Sequence, residues 1–328
     1  MAKWACALEN LVRRYSFSGR IAVFGATSVM GRDFIDQARR RGYEVVSFGR
    51  QRVIDQNKEF EIFPYEDFNF TNNYAAIINF VGFGSPRRAL LERESILSVT
   101  RVFDNWVLDY LRSHRETKYV FVSSGAIYEL LDKFGDSVSA LSHEKVLDPS
   151  SYYAFAKLEA ETRHRELEDL NIFDIRVFNY VSERQTPQDG FFFTDLLGAL
   201  IRKEKLVTDP DDVQRDFANS TNFADLVFNL LRHSGNAALD LYSSAGISKF
   251  DLLRELAISV GLEVEVRDQF EPLGPTGKKI KYLPRSRAAE GYGYRPQSSS
   301  LQNIIKVLES LDAKMISDSN LGQAENSQ

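Results

Sequence analysis

Tyrosine and lysine four residues apart can share one face of a helix, and Tyr153-Ala-Phe-Ala-Lys157 has that spacing. A phenol with an ordinary pKa of about 10 moves protons poorly at neutral pH unless a nearby cation stabilises its anion. Lys157 is placed to supply that cation. Ser123 and Ser124 close the apolar run Tyr119-Val-Phe-Val-Ser123, upstream of the tyrosine. A serine hydroxyl at the carboxyl end of a buried strand can hydrogen-bond an alcohol or carbonyl oxygen while Tyr153 moves the proton.

A second group of residues suits phosphate. The apolar stretch Ile21-Ala-Val-Phe24 runs into Gly25-Ala-Thr-Ser-Val-Met-Gly31, and Phe34, Ile35 and Ala38 then mark one helix face. A strand that enters such a turn and leaves as a helix presents backbone N–H groups and the positive end of a helix dipole to a pyrophosphate. Ser28 stands where a middle glycine is usual. It is small enough for close approach, and its hydroxyl can itself bond a phosphate; the competing reading is an ordinary strand-to-helix turn. At the tip of the next strand, Phe48-Gly49-Arg50 offers an arginine and no acid. That favours NADP(H) over NAD, since an acid there would bond the ribose 2′-hydroxyl.

The elements that must position these groups alternate. Short apolar runs (21–24, 44–48, 75–80, 119–123, 172–178) are separated by helical patterns at 34–42, 92–112 and 153–168. This predicts an α/β fold with a parallel sheet covered on both faces. After residue 180 the pattern changes to loops rich in Asp, Gln and Pro with short helices, as in a smaller lobe shaping a binding site. Ser248-Lys-Phe-Asp251 has capping-box form ahead of a helix, and Leu301, Ile304, Ile305, Leu308 and Leu311 mark a last amphipathic one.

Composition excludes other classes. With 41 Lys+Arg against 46 Asp+Glu, a net charge of −5 and no long block of one sign, the chain shows no nucleic-acid footprint. One cysteine, Cys6, cannot form an intramolecular disulfide, and His114, His143, His164 and His233 lack ligand spacing, so no metal is expected. No stretch reaches the ~18 apolar residues needed to span a bilayer. The expectation is a cytoplasmic protein with small partners; the alternative of a mitochondrial presequence in residues 4–14 is opposed by Glu9.

In this order along residues 19–312 the chain resembles the extended short-chain dehydrogenase/reductase family, the nucleotide-sugar epimerase, dehydratase and reductase group. The likeness rests on the glycine turn, Asn79-Phe-Val-Gly82, Val122-Ser-Ser-Gly-Ala-Ile-Tyr128, the Tyr153 and Lys157 pair, Arg176-Val-Phe-Asn179, Arg215-Asp-Phe217 and Gly291-Tyr-Gly-Tyr-Arg-Pro296. The resemblance implies a Rossmann-type doubly wound sheet with a smaller, discontinuous α+β substrate lobe. Residues 1–18 would be an extension, 19–180 the dinucleotide-binding domain with 215–245 returning to it, 181–214 and 246–312 the substrate lobe, and 313–328 an unstructured tail.

It also implies roles. Tyr153 would be the acid/base, Lys157 would hold the nicotinamide ribose and lower the tyrosine pKa, and Ser124, rather than Ser123, would be the catalytic hydroxyl. Gly25, Thr27, Ser28, Val29, Met30, Gly31, Arg50, Phe80, Val81 and Gly82 would line the cofactor. Asn179 would sit near the nicotinamide or the sugar, and Arg215 would pair with the diphosphate of a sugar nucleotide, the reading to set against it being an ion pair with Asp211 or Asp212. A homodimer through helices at 92–112 and 153–168 would use Trp106, Val107, Tyr110 and Leu111, although each could equally belong to the chain's own core.

Three departures bear on the reaction. Thr100 stands near the family's asparagine, the loop Phe83-Gly-Ser-Pro86 lacks a lysine found in some epimerases, and Glu183 and its neighbours replace a Gly-Pro. Gly125 and Ala126 occupy the positions where family dehydratases carry Asp-Glu, which argues against a 4,6-dehydratase. Reduction of a 4-keto sugar nucleotide by NADPH is favoured. Two alternatives stay open: a 4-epimerase with tightly held NAD, and a non-catalytic dinucleotide-binding regulatory protein.

Overall fold

The computed structural model describes residues 19–54, 61–82, 95–134, 151–268 and 281–325. The extension 1–18 and the Phe83-Pro86 loop lie outside the described residues. In chain order the first half forms β1 (Ile21–Phe24), α1 (Val29–Arg40), β2 (Val45–Gly49), β3 (Val53–Ile54), β4 (Glu61–Pro64), β5 (Ala76–Asn79), α2 (Ile96–Ser113), β6 (Lys118–Ser124), α3 (Ala126–Phe134), α4 (Tyr152–Arg165) and β7 (Ile172–Val177). Next come β8 (Asn179–Tyr180), α5 (Phe192–Arg202), β9 (Leu206–Thr208), β10 (Gln214–Arg215), β11 (Phe217–Ala218), α6 (Ser220–Leu230) and β12 (Asn236–Asp240). Last are β13 (Ile247–Ser248), α7 (Lys249–Val260), β14 (Val264–Val266), β15 (Lys281–Tyr282) and α8 (Ser300–Glu325).

The large sheet has the order β12-β7-β6-β5-β1-β2-β4-β3, with β3 antiparallel to β4 and the other pairings parallel. Parallel strands covered on both faces read as continuous apolar runs, and all of β1 and β5 is buried. On one face lie Phe34 and Ile35 of α1 with Phe223 and Leu226 of α6; on the other lie Val107, Tyr110 and Leu111 of α2. Burying each such side chain stabilises the fold by about 1.5–3 kcal/mol. The strand order reverses between β1 and β5. This is the Rossmann-type doubly wound arrangement, and the crevice at that reversal, beyond the carboxyl ends of the strands, is where ligands sit.

A separate core unites Phe193 and Leu196 of α5, Leu253 and Leu256 of α7, and Ile304 and Leu308 of α8. Small sheets β13-β10-β15, β11-β8 and β14-β9 edge it. Between β2 and β5 in the chain, β4 adds a further strand and pairs with β2. The sequence reading is corrected in two places. Helix α8 continues to Glu325, past the expected end near 312. Val107, Tyr110 and Leu111 are buried inside the chain and Trp106 packs on the same core, so the apolar surface that α2 leaves exposed is Leu97 and Val102 instead.

Candidate active site

Strand β6 turns its two serines to opposite faces, as a period of two requires. Ser123 Oγ donates to Glu161 Oε1 at 2.6 Å, a buried bond that ties the strand to α4. Ser124 is the free-facing one: its Oγ accepts from the Ala126 N–H at 3.2 Å and is hydrogen-bonded to the hydroxyls of Tyr153 and Tyr282. One helical turn past Tyr153, Lys157 is buried with no carboxylate in ion-pair reach among the described residues, and its Nζ donates to the Val122 carbonyl oxygen at 2.7 Å. Burial pulls its ammonium down to about 8, while Asp104, Asp174 and Glu161 hold it up.

Burial likewise pushes the Tyr153 phenol above its ordinary value, and the bond with Ser124 works against that rise. The Lys157 Nζ lies 5.8 Å from the Tyr153 ring centroid and is turned to a backbone carbonyl. The pKa-lowering role that the resemblance assigns to Lys157 is therefore not expressed in this geometry. Thr100, near the family's asparagine, donates to the Ile96 carbonyl of its own helix at 2.9 Å. Its one proton is engaged there.

The glycine turn has the shape a dinucleotide requires. Gly25 has φ +76°, and a Cβ there would lie 2.9 Å from the Phe80 carbonyl carbon. Gly31 could carry no Cβ without meeting the Gly25 carbonyl oxygen at 2.5 Å. Ser28 caps α1, its Oγ accepting from the Gly31 N–H at 3.0 Å, so its acceptor role is taken while its proton is not. Val29 and Met30 begin the helix, where N–H groups have no intrahelical acceptor and can bond a phosphate. Thr27 is exposed beside Gly49 at the tip of β2, and Arg50, also exposed, follows at once. Residues 80–82 close the crevice opposite: a Cβ on Gly82 would lie 3.5 Å from Lys157 Nζ. The cradle fits a dinucleotide.

On the substrate side, Arg215 is half-buried with its Nε unbonded and no carboxylate in reach among the described residues. Of the two expected competitors, Asp211 and Asp212, neither pairs with it among the described residues, and the Asp212 carboxylate accepts the Phe250 N–H at 3.1 Å; the neighbouring Asp209 takes Lys249 at 2.9 Å. Burial pulls the guanidinium below its ordinary value, with Tyr282 and Asp209 opposing. Asn179 steadies it, donating to the Asp216 carbonyl at 2.8 Å and accepting from Arg215 Nη1 at 3.4 Å.

Tyr282 was not found by sequence. It is the register partner of Arg215, its ring meets Phe178 edge-on at 5.3 Å, and its segment is anchored where the Arg285 and Ser286 N–H groups donate to Asp240 at 2.8 and 2.9 Å. No local spacing announces such a residue, because it reaches Ser124 from a strand 158 positions later. The Phe178 ring also fills the space a side chain on Gly125 would need, which closes the dehydratase acid position by packing. The rebuilt loop after Asn179 is tied to α1: Tyr180 donates to Asp33 at 2.8 Å, and Arg184 bonds Asp33 at 3.0 Å and Asp36. A cavity of about 240 Å³ behind that tie shares no residue with Ser124, Tyr153 and Lys157, so it is not their cleft.

A dinucleotide-type sheet with serine, tyrosine and lysine gathered at the carboxyl ends of its strands is the arrangement of an extended short-chain dehydrogenase/reductase. The profile of the NAD dependent epimerase/dehydratase family matches residues 21–240, and the chain belongs to that family. Among solved structures it is similar to MoeE5 in complex with UDP-glucose and NAD (TM-score 0.69, 16% identity, covering 90% of this chain and 100% of that one). It is similar also to RMD from Pseudomonas aeruginosa complexed with NADPH (0.68, 18%, 90% and 100%). A third is the UDP-N-acetylglucosamine 4-epimerase from Methanobrevibacter ruminantium M1 in complex with UDP-N-acetylmuramic acid (0.69, 14%, 89% and 99%). No curated protein matches the sequence significantly. Among the described residues no helix is long and apolar enough to cross a membrane, and no three His, Cys, Asp or Glu side chains are grouped to hold a metal.

Proposed function

We propose that the protein is an NAD(P)-dependent oxidoreductase that reduces a 4-keto nucleotide sugar, with hydride from NADPH and a proton from Tyr153. The observation that carries this reading is the junction at Tyr282: it bonds the Ser124 hydroxyl, shared with Tyr153, and stands in register with the unpaired Arg215. A proton-transfer group and an anion-seeking guanidinium linked through Ser124 and Tyr282 suit a sugar whose diphosphate is held at one end and whose carbonyl reacts at the other.

When bound along the glycine turn, the dihydronicotinamide supplies hydride. The N–H groups of Val29 and Met30 and the Ser28 hydroxyl hold the pyrophosphate, and residues 80–82 and Lys157 hold the nicotinamide ribose. Lys157 Nζ uses one of its three donors on Val122, which leaves two for ribose hydroxyls. Ser124 polarises the ketone oxygen while the Tyr153 hydroxyl delivers the proton. Arg215 binds the diphosphate, held at its angle by Asn179. Arg50 beside Thr27 receives a 2′-phosphate, which supports NADP(H). In solution the protein is a homodimer joined through α2, where Leu97 and Val102 are exposed, and α4, measurable by light scattering.

The test is to mix purified protein with NADPH or NADH and a 4-keto sugar nucleotide, following the reduced nicotinamide, and to identify by mass spectrometry any nucleotide released on denaturation. NADPH consumption supports the reductase. Release of NAD alone, with neither reduced cofactor consumed, replaces it with the 4-epimerase.

A further inference from the structure

The inward face of α4 continues beyond the catalytic pair. Glu161 takes Ser123 Oγ at 2.6 Å and the Arg176 guanidinium at 2.6 Å, and His164 follows, wholly buried. The His164 ring bonds a carboxylate at each nitrogen: Nδ1 to Asp174 Oδ1 at 2.6 Å, Nε2 to Asp104 Oδ1 at 2.8 Å. A ring flanked in this way donates from both sides and is an imidazolium. Burial works against its charge, and the two aspartates overcome that, carrying it to about 9.

Asp104, on α2, is the node. Its Oδ2 accepts from Arg163 at 2.6 Å, and its Oδ1 also accepts from the Tyr119 hydroxyl at 2.8 Å. The Tyr119 oxygen accepts from Asn79 Nδ2 at 3.0 Å, and Asn79 Oδ1 accepts from the Val81 N–H at 2.9 Å. Val81 lies in the strip that packs on Gly25 and faces Lys157. An unbroken run of hydrogen bonds thus joins the far end of the catalytic helix to the wall of the cofactor crevice. Apolar residues of equal volume would bury more cheaply than these charges, so what the network adds is a defined geometry.

We propose that Asp104 is a positioning residue for the dinucleotide: from one oxygen it fixes His164 on the catalytic helix and, through Tyr119 and Asn79, the 80–82 strip. The Lys157 ammonium and the strip it faces are thereby held at one separation. The carboxylate also acts through its charge, as the first of the acids that hold Lys157 protonated. Facing that ammonium are Tyr153 and Glu161 on α4, Asp104 on α2, Asp174 on β7 and the Val122 carbonyl on β6. The inference rests on the reading that this strip and Lys157 hold a nicotinamide dinucleotide.

Two variants separate bond from charge. Tyr119→Phe keeps the ring and cuts the run between Asp104 and Asn79; Asp104→Asn keeps an acceptor for Tyr119 and removes the charge. Tyr119→Phe should raise the Kd for NADPH about 3–10-fold, the worth of one hydrogen bond, with kcat within about twofold. Asp104→Asn should move the basic limb of the pH profile of NADPH binding to lower pH, because burial then draws Lys157 further down. A purely structural network would lower the melting temperature of both variants and leave Kd and limb unmoved. That outcome, in variants with wild-type circular dichroism, overturns the proposal. If Asp104→Asn does not fold, the Kd of Tyr119→Phe decides alone. A wild-type protein that binds neither NADPH nor NADH overturns the functional reading and this inference together, whereas binding equal in wild type and both variants overturns only the inference.

Discussion

At the scale of single residues, chemistry and stability can be pulled apart. Replacing Tyr153 with Phe removes the proton carrier while leaving the ring in place, so turnover should fall by about 10²–10⁴-fold with NADPH affinity nearly unchanged; single-turnover kinetics beside a binding titration read both. Arg215 predicts the opposite pattern. A half-buried guanidinium with an unbonded Nε is a burden on the free protein, so Arg215→Met should leave the melting temperature equal or higher while raising the KM for the sugar nucleotide tenfold or more. Arg50→Asp, on an exposed side chain, should turn the dinucleotide preference from NADPH toward NADH without a change in stability, seen as the ratio of kcat/KM for the two.

The elements show which parts of this were legible. Tyr153 with Lys157, and the glycine turn, are local patterns: i and i+4 on one helix, or a strand, a tight turn and a cap within eleven residues of one another. The Gly25 position also carries a prediction. Gly25→Ala would combine a positive φ with a Cβ 2.9 Å from the Phe80 carbonyl, so it should destabilise the protein by about 1–3 kcal/mol in denaturant melts and weaken dinucleotide binding as well. Tyr282 and His164 are a different matter. Scanning four histidines for ligand spacing gives nothing, because His164 is made significant by Asp104 on another helix and Asp174 on a strand, 60 and 10 positions away. The same holds for Val107, Tyr110 and Leu111, whose apolar character fits an interface or a core equally until the sheet beneath α2 is in place.

For the molecule as a whole, the buried charges make stability depend on pH in a calculable direction. His164 titrates near 9 when folded against an ordinary 6.5, so its contribution is complete below about 6.5 and is lost as pH rises through 9. The full effect is on the order of 3 kcal/mol. Lys157 runs the other way: with a folded value of about 8 against 10.5, its burial costs most below 8 and the cost fades toward 10.5. Between pH 6.5 and 8 the histidine acts by itself. Urea midpoints of the wild type should therefore fall across that interval and those of His164→Gln should stay flat; parallel curves would show that the imidazolium is not what titrates.

The tie from Arg184 and Tyr180 to Asp33 and Asp36 bears on how this protein can be altered. Substrate preference is commonly retuned by transplanting a loop from a relative, and residues 181–184 are the obvious piece to exchange. Here that loop and the first helix of the cofactor lobe share one set of charges. A transplant that removes Arg184 alone takes the cation from two aspartates, leaving the buried Asp33 with its Tyr180 bond, on a helix that begins at the glycine turn. The two segments form one heritable unit, and recombination that moves them together should yield folded chimeras where exchange of the loop by itself does not.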